Sequence, residues 1–107
     1  MTLPLDPYVI DSLLPDLAGH DRRPSALLVY LYLYRHACDS GWVTRQSHQA
    51  IADATGLSRS AVQGSLAHLQ GRQLVTTTRA HATAVPAHRV LRPWLRGRAS
   101  KSQVGKC

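Results

Sequence analysis

Residues 51–75, IADATGLSRSAVQGSLAHLQGRQLV, decide the fold. Ile51, Ala52 and Leu57 supply the apolar side of a short first helix. Gly56 falls where the chain must turn sharply, and glycine enters positive φ without steric cost. Ser58 follows at an N-cap position, where its hydroxyl accepts a hydrogen bond from a free backbone N–H. Val62, Leu66 and Leu69 then recur at i, i+4 and i+7, one face of a second helix. The other face carries Arg59, Ser60 and Gln63, side chains able to reach phosphates or base edges. From Leu74 to Arg79 the chain turns threonine-rich and β-branched, which predicts a strand.

This block resembles the bacterial winged helix-turn-helix family of transcription regulators. The matching residues are Ile51 and Ala52, Thr55 through Ser60, Val62, Leu66, Leu69, Leu74 and Val75. The likeness is close over about a quarter of the chain and holds in outline over residues 25–95. It implies a mainly helical α+β fold, with a three-helix core, a β-hairpin wing and a helix able to enter a DNA major groove. Two positions depart from the family pattern. Gly64 stands where a basic residue is common, and Gln73 where a glycine often precedes the strand.

Outside the motif, Asp6 and Pro7 read as the N-cap and first position of an N-terminal helix, with Tyr8, Val9, Leu13 and Leu14 beyond. Pro15 is expected to interrupt or restart it and Gly19 to end it. Residues 1–23 thus form a helical extension, proposed as a dimerisation arm, ahead of a DNA-binding domain over 24–96. Pro24 opens a segment, SALLVYLYLYRHAC, whose size alternation also fits a strand. Its length and leading proline favour a helix of about fourteen residues. One face would hold Leu27, Leu28, Leu31, Tyr34 and Cys38, and another Val29, Tyr32, Leu33 and His36. A helix apolar nearly all round needs cover on both sides. A homodimer through Leu28, Val29, Tyr32, Leu33 and the N-terminal segment is therefore expected. Trp42 to Thr44 predicts a short strand, Ala80–Ala84 the wing tip, and Val85–Leu91 the return strand, with Pro86 at an edge position. Pro93 to Leu95 should fold back on the core, where both tryptophans are placed. Residues 97–107 read as a flexible basic tail.

Charge supports the same partner. The 107 residues carry a net +7, very unevenly spread. Residues 1–40 hold three arginines against five aspartates, whereas residues 41–107 hold eight arginines and two lysines against Asp53 alone. Without the last twelve residues the second part still carries +5. Such a field attracts a polyanion and supplies sequence-independent binding energy.

The candidate DNA-binding residues are Ser47 and Ser58 at the two helix starts, Arg59, Ser60, Gln63 and His68 on the second helix, and Arg79, His81 and Arg89 around the wing. His88 flanks the wing as well, and Arg92, Arg96 and Arg98 follow it. The helix start favours phosphate through its free N–H groups, and Gln63 can pair with adenine or remain plain polar surface. Gly64, which costs roughly 1 kcal/mol against alanine in a helix, reads either as a close approach of the helix to a sugar–phosphate wall or a partner helix, or as a neutral exposed site.

Other chemistry finds little footing. The six histidines and Cys38 suggest no metal: His36 and Cys38 diverge by about 200° on a helix, and His20 with Asp21 has no companion at ligand spacing. A core cysteine and surface histidines account for them better. Cys107 lies in a polar tail, so no disulfide framework is expected. No Ser/His/Asp pattern, carboxylate pair or glycine-rich phosphate loop points to an enzyme, and neither a cofactor nor a small-molecule substrate is expected. The longest apolar run, Ala26–Tyr34, is nine residues, short of the roughly 20 of a membrane span. A cytoplasmic, nucleoid-associated protein is thus expected. The alternative is a winged helix used for protein–protein contact in a plasmid or phage replication or partition complex. RNA or ribosome association comes third, for want of exposed aromatics that stack on bases.

Overall fold

The computed structural model describes residues 2–97, with the side chains of Arg96 and Gly97 left aside. Residues 98–107, the rest of the basic tail with Cys107, lie outside the described residues. The chain is an α+β fold in which helices pack on one face of a small antiparallel sheet.

Asp6 caps the N-terminal segment as its sequence suggests: its carboxylate accepts the Tyr8 N–H at 2.9 Å, with Pro7 between them. The segment then coils through Val9–Leu13 and Pro15–His20 in wide π-type turns. The Leu14 N–H reaches the Val9 carbonyl, and the Asp21 N–H the Asp16 carbonyl at 2.7 Å. Pro15 has no N–H to donate and its ring crowds the preceding turn, yet the widened coil continues past it. Gly19 does not end the segment either; the reversal comes at Arg22, with φ at +55°. Val9, Leu13 and Leu17, four residues apart, are buried in the core shared with the other helices.

Helix α1 is Pro24–Ala37, with proline in its first turn. The strand-like alternation of its tyrosines and leucines does not prevail, because those residues fill one broad buried face instead. Ala26, Leu27, Val29, Tyr30, Leu33, Tyr34 and Ala37 are all enclosed. The N-terminal segment, two further helices and the sheet surround α1. This corrects the expected dimer face: Val29 and Leu33 are completely buried within the chain, whereas Leu28 is exposed.

After α1, Gly41 and Trp42 both take positive φ, +67° and +68°. That turn delays strand β1 by one residue, to Val43–Arg45. Helix α2, His48–Thr55, is capped by Ser47, whose hydroxyl accepts the Ala50 N–H at 3.0 Å. It stops at Gly56, with φ +80°. Helix α3, Arg59–Gly71, is capped by Ser58, which accepts the Ala61 N–H at 3.1 Å. It buries Val62, Ser65, Leu66 and Leu69. Two strands follow, β2 at Val75–Thr78 and β3 at Ala87–Val90.

The hairpin is thus part of a three-stranded sheet with β3 in the centre. Val43 pairs with Arg89 across β1 and β3, and Thr76 with Arg89 across β2 and β3. Strand alternation sends Thr44, Val75, Thr77, His88 and Val90 to the helix-packed face. Pro86 is buried just before the central strand rather than on an edge, and its carbonyl accepts the Gln46 N–H at 3.2 Å. The final 3₁₀ turn, Pro93–Gly97, carries Trp94 back onto Tyr8, ring centroids 4.9 Å apart. Both tryptophans are half-buried at the rim of the core. No helix among the described residues is long and apolar enough to cross a membrane.

Candidate nucleic-acid interface

The buried stripe of α3 leaves the opposite side of the helix facing outward. Arg59, Ser60 and Gln63 are exposed there, together with Ala67 and Gln70. The Ser58 hydroxyl both caps the helix and lies 3.3 Å from the Ser60 hydroxyl. The start of α3 therefore presents hydroxyls, unused N–H groups and the Arg59 guanidinium together, a combination suited to an anion. Ser47 holds the same capping role on α2, and its hydroxyl hydrogen remains able to donate.

A second cation joins from the β2–β3 connection. Arg79 follows β2 directly and donates to the Ala84 carbonyl at 3.1 Å, bracing the loop it starts. His81 is exposed in the same loop, with its Nδ1 3.2 Å from the Thr83 hydroxyl. Arg79 and Arg59, twenty positions apart in sequence, both act electrostatically on His48 at the start of α2. Partial burial and then these two positive charges lower its proton affinity below that of an ordinary histidine. His48, at the start of α2, thus lies within electrostatic reach of both Arg59 and Arg79. Its sequence position, one residue after a capping serine, carried no such signal.

The hairpin is tied to α3 by a polar chain that runs from the exposed Gln70 to the buried His88. Gln70 Nε2 donates to Thr77 Oγ1 at 3.1 Å, and Thr77 Oγ1 lies 2.9 Å from His88 Nδ1. His88 Nε2 lies 2.9 Å from the Gln46 carbonyl, which can only accept. Nε2 therefore carries the proton, and Nδ1 accepts from Thr77. His88, expected beside the wing at the surface, is in fact completely buried. Burial is the main cause of its lowered proton affinity, with the nearby charges of His48 and Arg79 adding to it. Its position two residues before Val90 was the available signal, since alternation puts both on the inner face.

Other cations are engaged elsewhere. His68 does not face outward with Gln63: its Nε2 meets Asp21 Oδ2 at 2.8 Å. Arg72 reaches the same carboxylate at 3.1 Å and Asp16 at 3.4 Å. The hydrogen bond from His68, and then the Arg72 charge, hold the Asp21 carboxyl below its usual range despite some desolvation. Arg92 lies over the Trp42 ring, 3.6 Å from its centroid, as a structural cation–π contact. Arg89 is exposed on the outer sheet face, where alternation also places Arg45. Among the described residues, no ion pair engages Arg45, Arg59, Arg79 or Arg89, and no three potential ligands gather to hold a metal ion.

No family model, curated protein or solved structure matches the chain.

Proposed function

We propose that this chain is a winged helix-turn-helix protein that binds double-stranded DNA as a homodimer and regulates transcription, as a repressor, by occupying a promoter. One observation carries the reading. Two cations without an acidic partner, Arg59 at the start of α3 and Arg79 at the head of the β2–β3 loop, both act on His48 at the start of α2, while His68 and Arg72 farther along α3 are turned to aspartates. In this reading α2 and α3 are the helix-turn-helix, and α3 enters the major groove with Arg59, Ser60 and Gln63 foremost. The β2–β3 loop is the wing, and Arg79 and His81 lie against phosphate. The capped helix starts at Ser47 and Ser58 supply further phosphate donors.

The proposed dimer uses surface that the fold leaves uncovered. Leu28 remains exposed on α1, Tyr32 is half-buried, and Tyr8, Ile10 and Leu14 are exposed on the N-terminal segment. Two copies would read half-sites about one helical turn apart. The reading calls for no metal, cofactor, catalysis or small-molecule substrate, and it places the protein in the cytoplasm with the DNA.

Affinity for duplex DNA measured across salt concentrations tests the proposal. Phosphate neutralisation predicts a steep negative log–log slope, and removing Arg59 or Arg79 should each reduce it by about one. A flat slope, or binding unchanged in the double variant R59A/R79A, rules it out. Selection of bound fragments from a random pool should enrich a palindrome if a dimer reads the site.

A further inference from the structure

The chain entering α1 crosses α3 along a short, closely registered path. Asp21 meets His68 at 2.8 Å, and the Ser65 hydroxyl donates to Ser25 at 3.0 Å. Between these two anchors, Arg23 occupies the N-cap position of α1, its backbone N–H on the Leu17 carbonyl at 2.7 Å. Its side chain makes no capping bond but lies across α3 at Gly64. A Cβ built on that glycine would stand 3.4 Å from Arg23 Nη1. Arg23 is exposed, and no ion pair among the described residues engages it.

A Cβ at Gly64 would meet only the end of the Arg23 side chain, at ordinary van der Waals distance, so the contact places Arg23 on α3 without requiring a glycine there. Around Gly64 the outward surface of α3 carries Ser60, Gln63 and Ala67, none of them charged. A long cation is therefore absent from the middle of the helix but is brought there from a neighbouring element. From this geometry we infer that Arg23 contacts a DNA phosphate, acting as the mid-helix cation of α3. The inference rests on the DNA-binding reading above. Arg23 reaches α3 from the side where His68 is already turned to the N-terminal segment. It therefore stands at the flank of the helix, where a groove's sugar–phosphate wall passes, rather than at the centre facing base edges. Its guanidinium keeps several N–H groups directed to solvent, and a phosphate can take two of them at once.

The test is equilibrium binding of the full chain to two duplexes, one enriched from a random pool and one unrelated, over a series of salt concentrations. Arg23→Ala is expected to reduce the slope by about 0.9 on both duplexes alike. Arg23→Lys should retain the slope, because a point charge still neutralises a phosphate. Arg23→Gln repeats the charge removal with a longer side chain, should the alanine variant not fold. If Arg59→Ala lowers the slope while neither neutral Arg23 variant does, this inference fails and the DNA-binding reading stands. A loss confined to the enriched duplex overturns the phosphate assignment in favour of base contact. A flat slope for the unaltered chain overturns both.

Discussion

Helices α2 and α3 each leave through a residue in the left-handed region, but only one of the two is glycine. Gly56 has φ +80°, whereas Gln73 holds φ +60° just before β2. There the Gln73 N–H reaches the Gln70 carbonyl at 3.0 Å and the Leu74 N–H the Leu69 carbonyl at 2.9 Å, so the backbone is committed to the turn. A non-glycine residue pays roughly 1–2 kcal/mol for this conformation. Glycine avoids that strain but loses about 0.5–1 kcal/mol more chain entropy on folding. Gln73→Gly is therefore expected to stabilise the protein by about 0.5–1 kcal/mol, a rise in Tm of roughly 2–8 °C for a domain near this size. The Gln73 side chain is exposed, so its removal should cost little. Gln73→Ala is the control: it removes the side chain and keeps the strain, and its Tm should stay near that of the parent. Urea unfolding followed by circular dichroism, with the slope m checked for constancy, measures all three. If the glycine and alanine variants shift alike, or the glycine variant is the less stable, the left-handed penalty is not what this turn carries. DNA affinity should be unchanged in Gln73→Gly, because the turn that leads from α3 into β2 is preserved.

Three further outcomes follow from buried groups. Leu17→Ala should cost about 2–5 kcal/mol, because Leu17 is completely enclosed; Ile10→Ala, on an exposed side chain, should leave folding near the parent and weaken only self-association by sedimentation. Tyr30→Phe deprives the Leu91 carbonyl of a donor at 2.9 Å and should cost about 1 kcal/mol in a urea titration. Acid should destabilise the fold through His88. Its folded form favours the neutral ring, so that stability is complete above the ordinary histidine value of 6.5 and declines as pH falls from there toward the lowered folded value. His48 is shifted in the same direction. Urea midpoints compared on either side of that value measure it, and a midpoint that rises on acidification would contradict the assignment.

Much of the local structure was legible because short-range rules are strong. Pro24 starts α1, Ser47 and Ser58 cap α2 and α3, and Gly56 makes the turn between them, each through bonds or torsions within a few residues. The exposed row Arg59, Ser60, Gln63 follows from helical periodicity once those ends are known. His68 was misplaced because its spacing matches the outward face nearly as well as the flank, and only Asp21, 47 positions earlier, decides between them. Val29 and Leu33 were misread for a related reason. An apolar helix announces that it needs cover but does not say whether that cover comes from its own chain.

The sequence by itself determined the order of elements, their caps and turns, and the segregation of positive charge into residues 41–107, because these depend on neighbours along the chain. Tertiary structure alone decided which charges meet. It brought Arg59 and Arg79 within electrostatic reach of His48, buried His88 between strand and loop, withdrew His68 and Arg72 to the acidic N-terminal segment, and laid Arg23 over Gly64. Electrostatics and hydrogen bonding act on distance through space, and only the packing of the helices on the sheet establishes those distances.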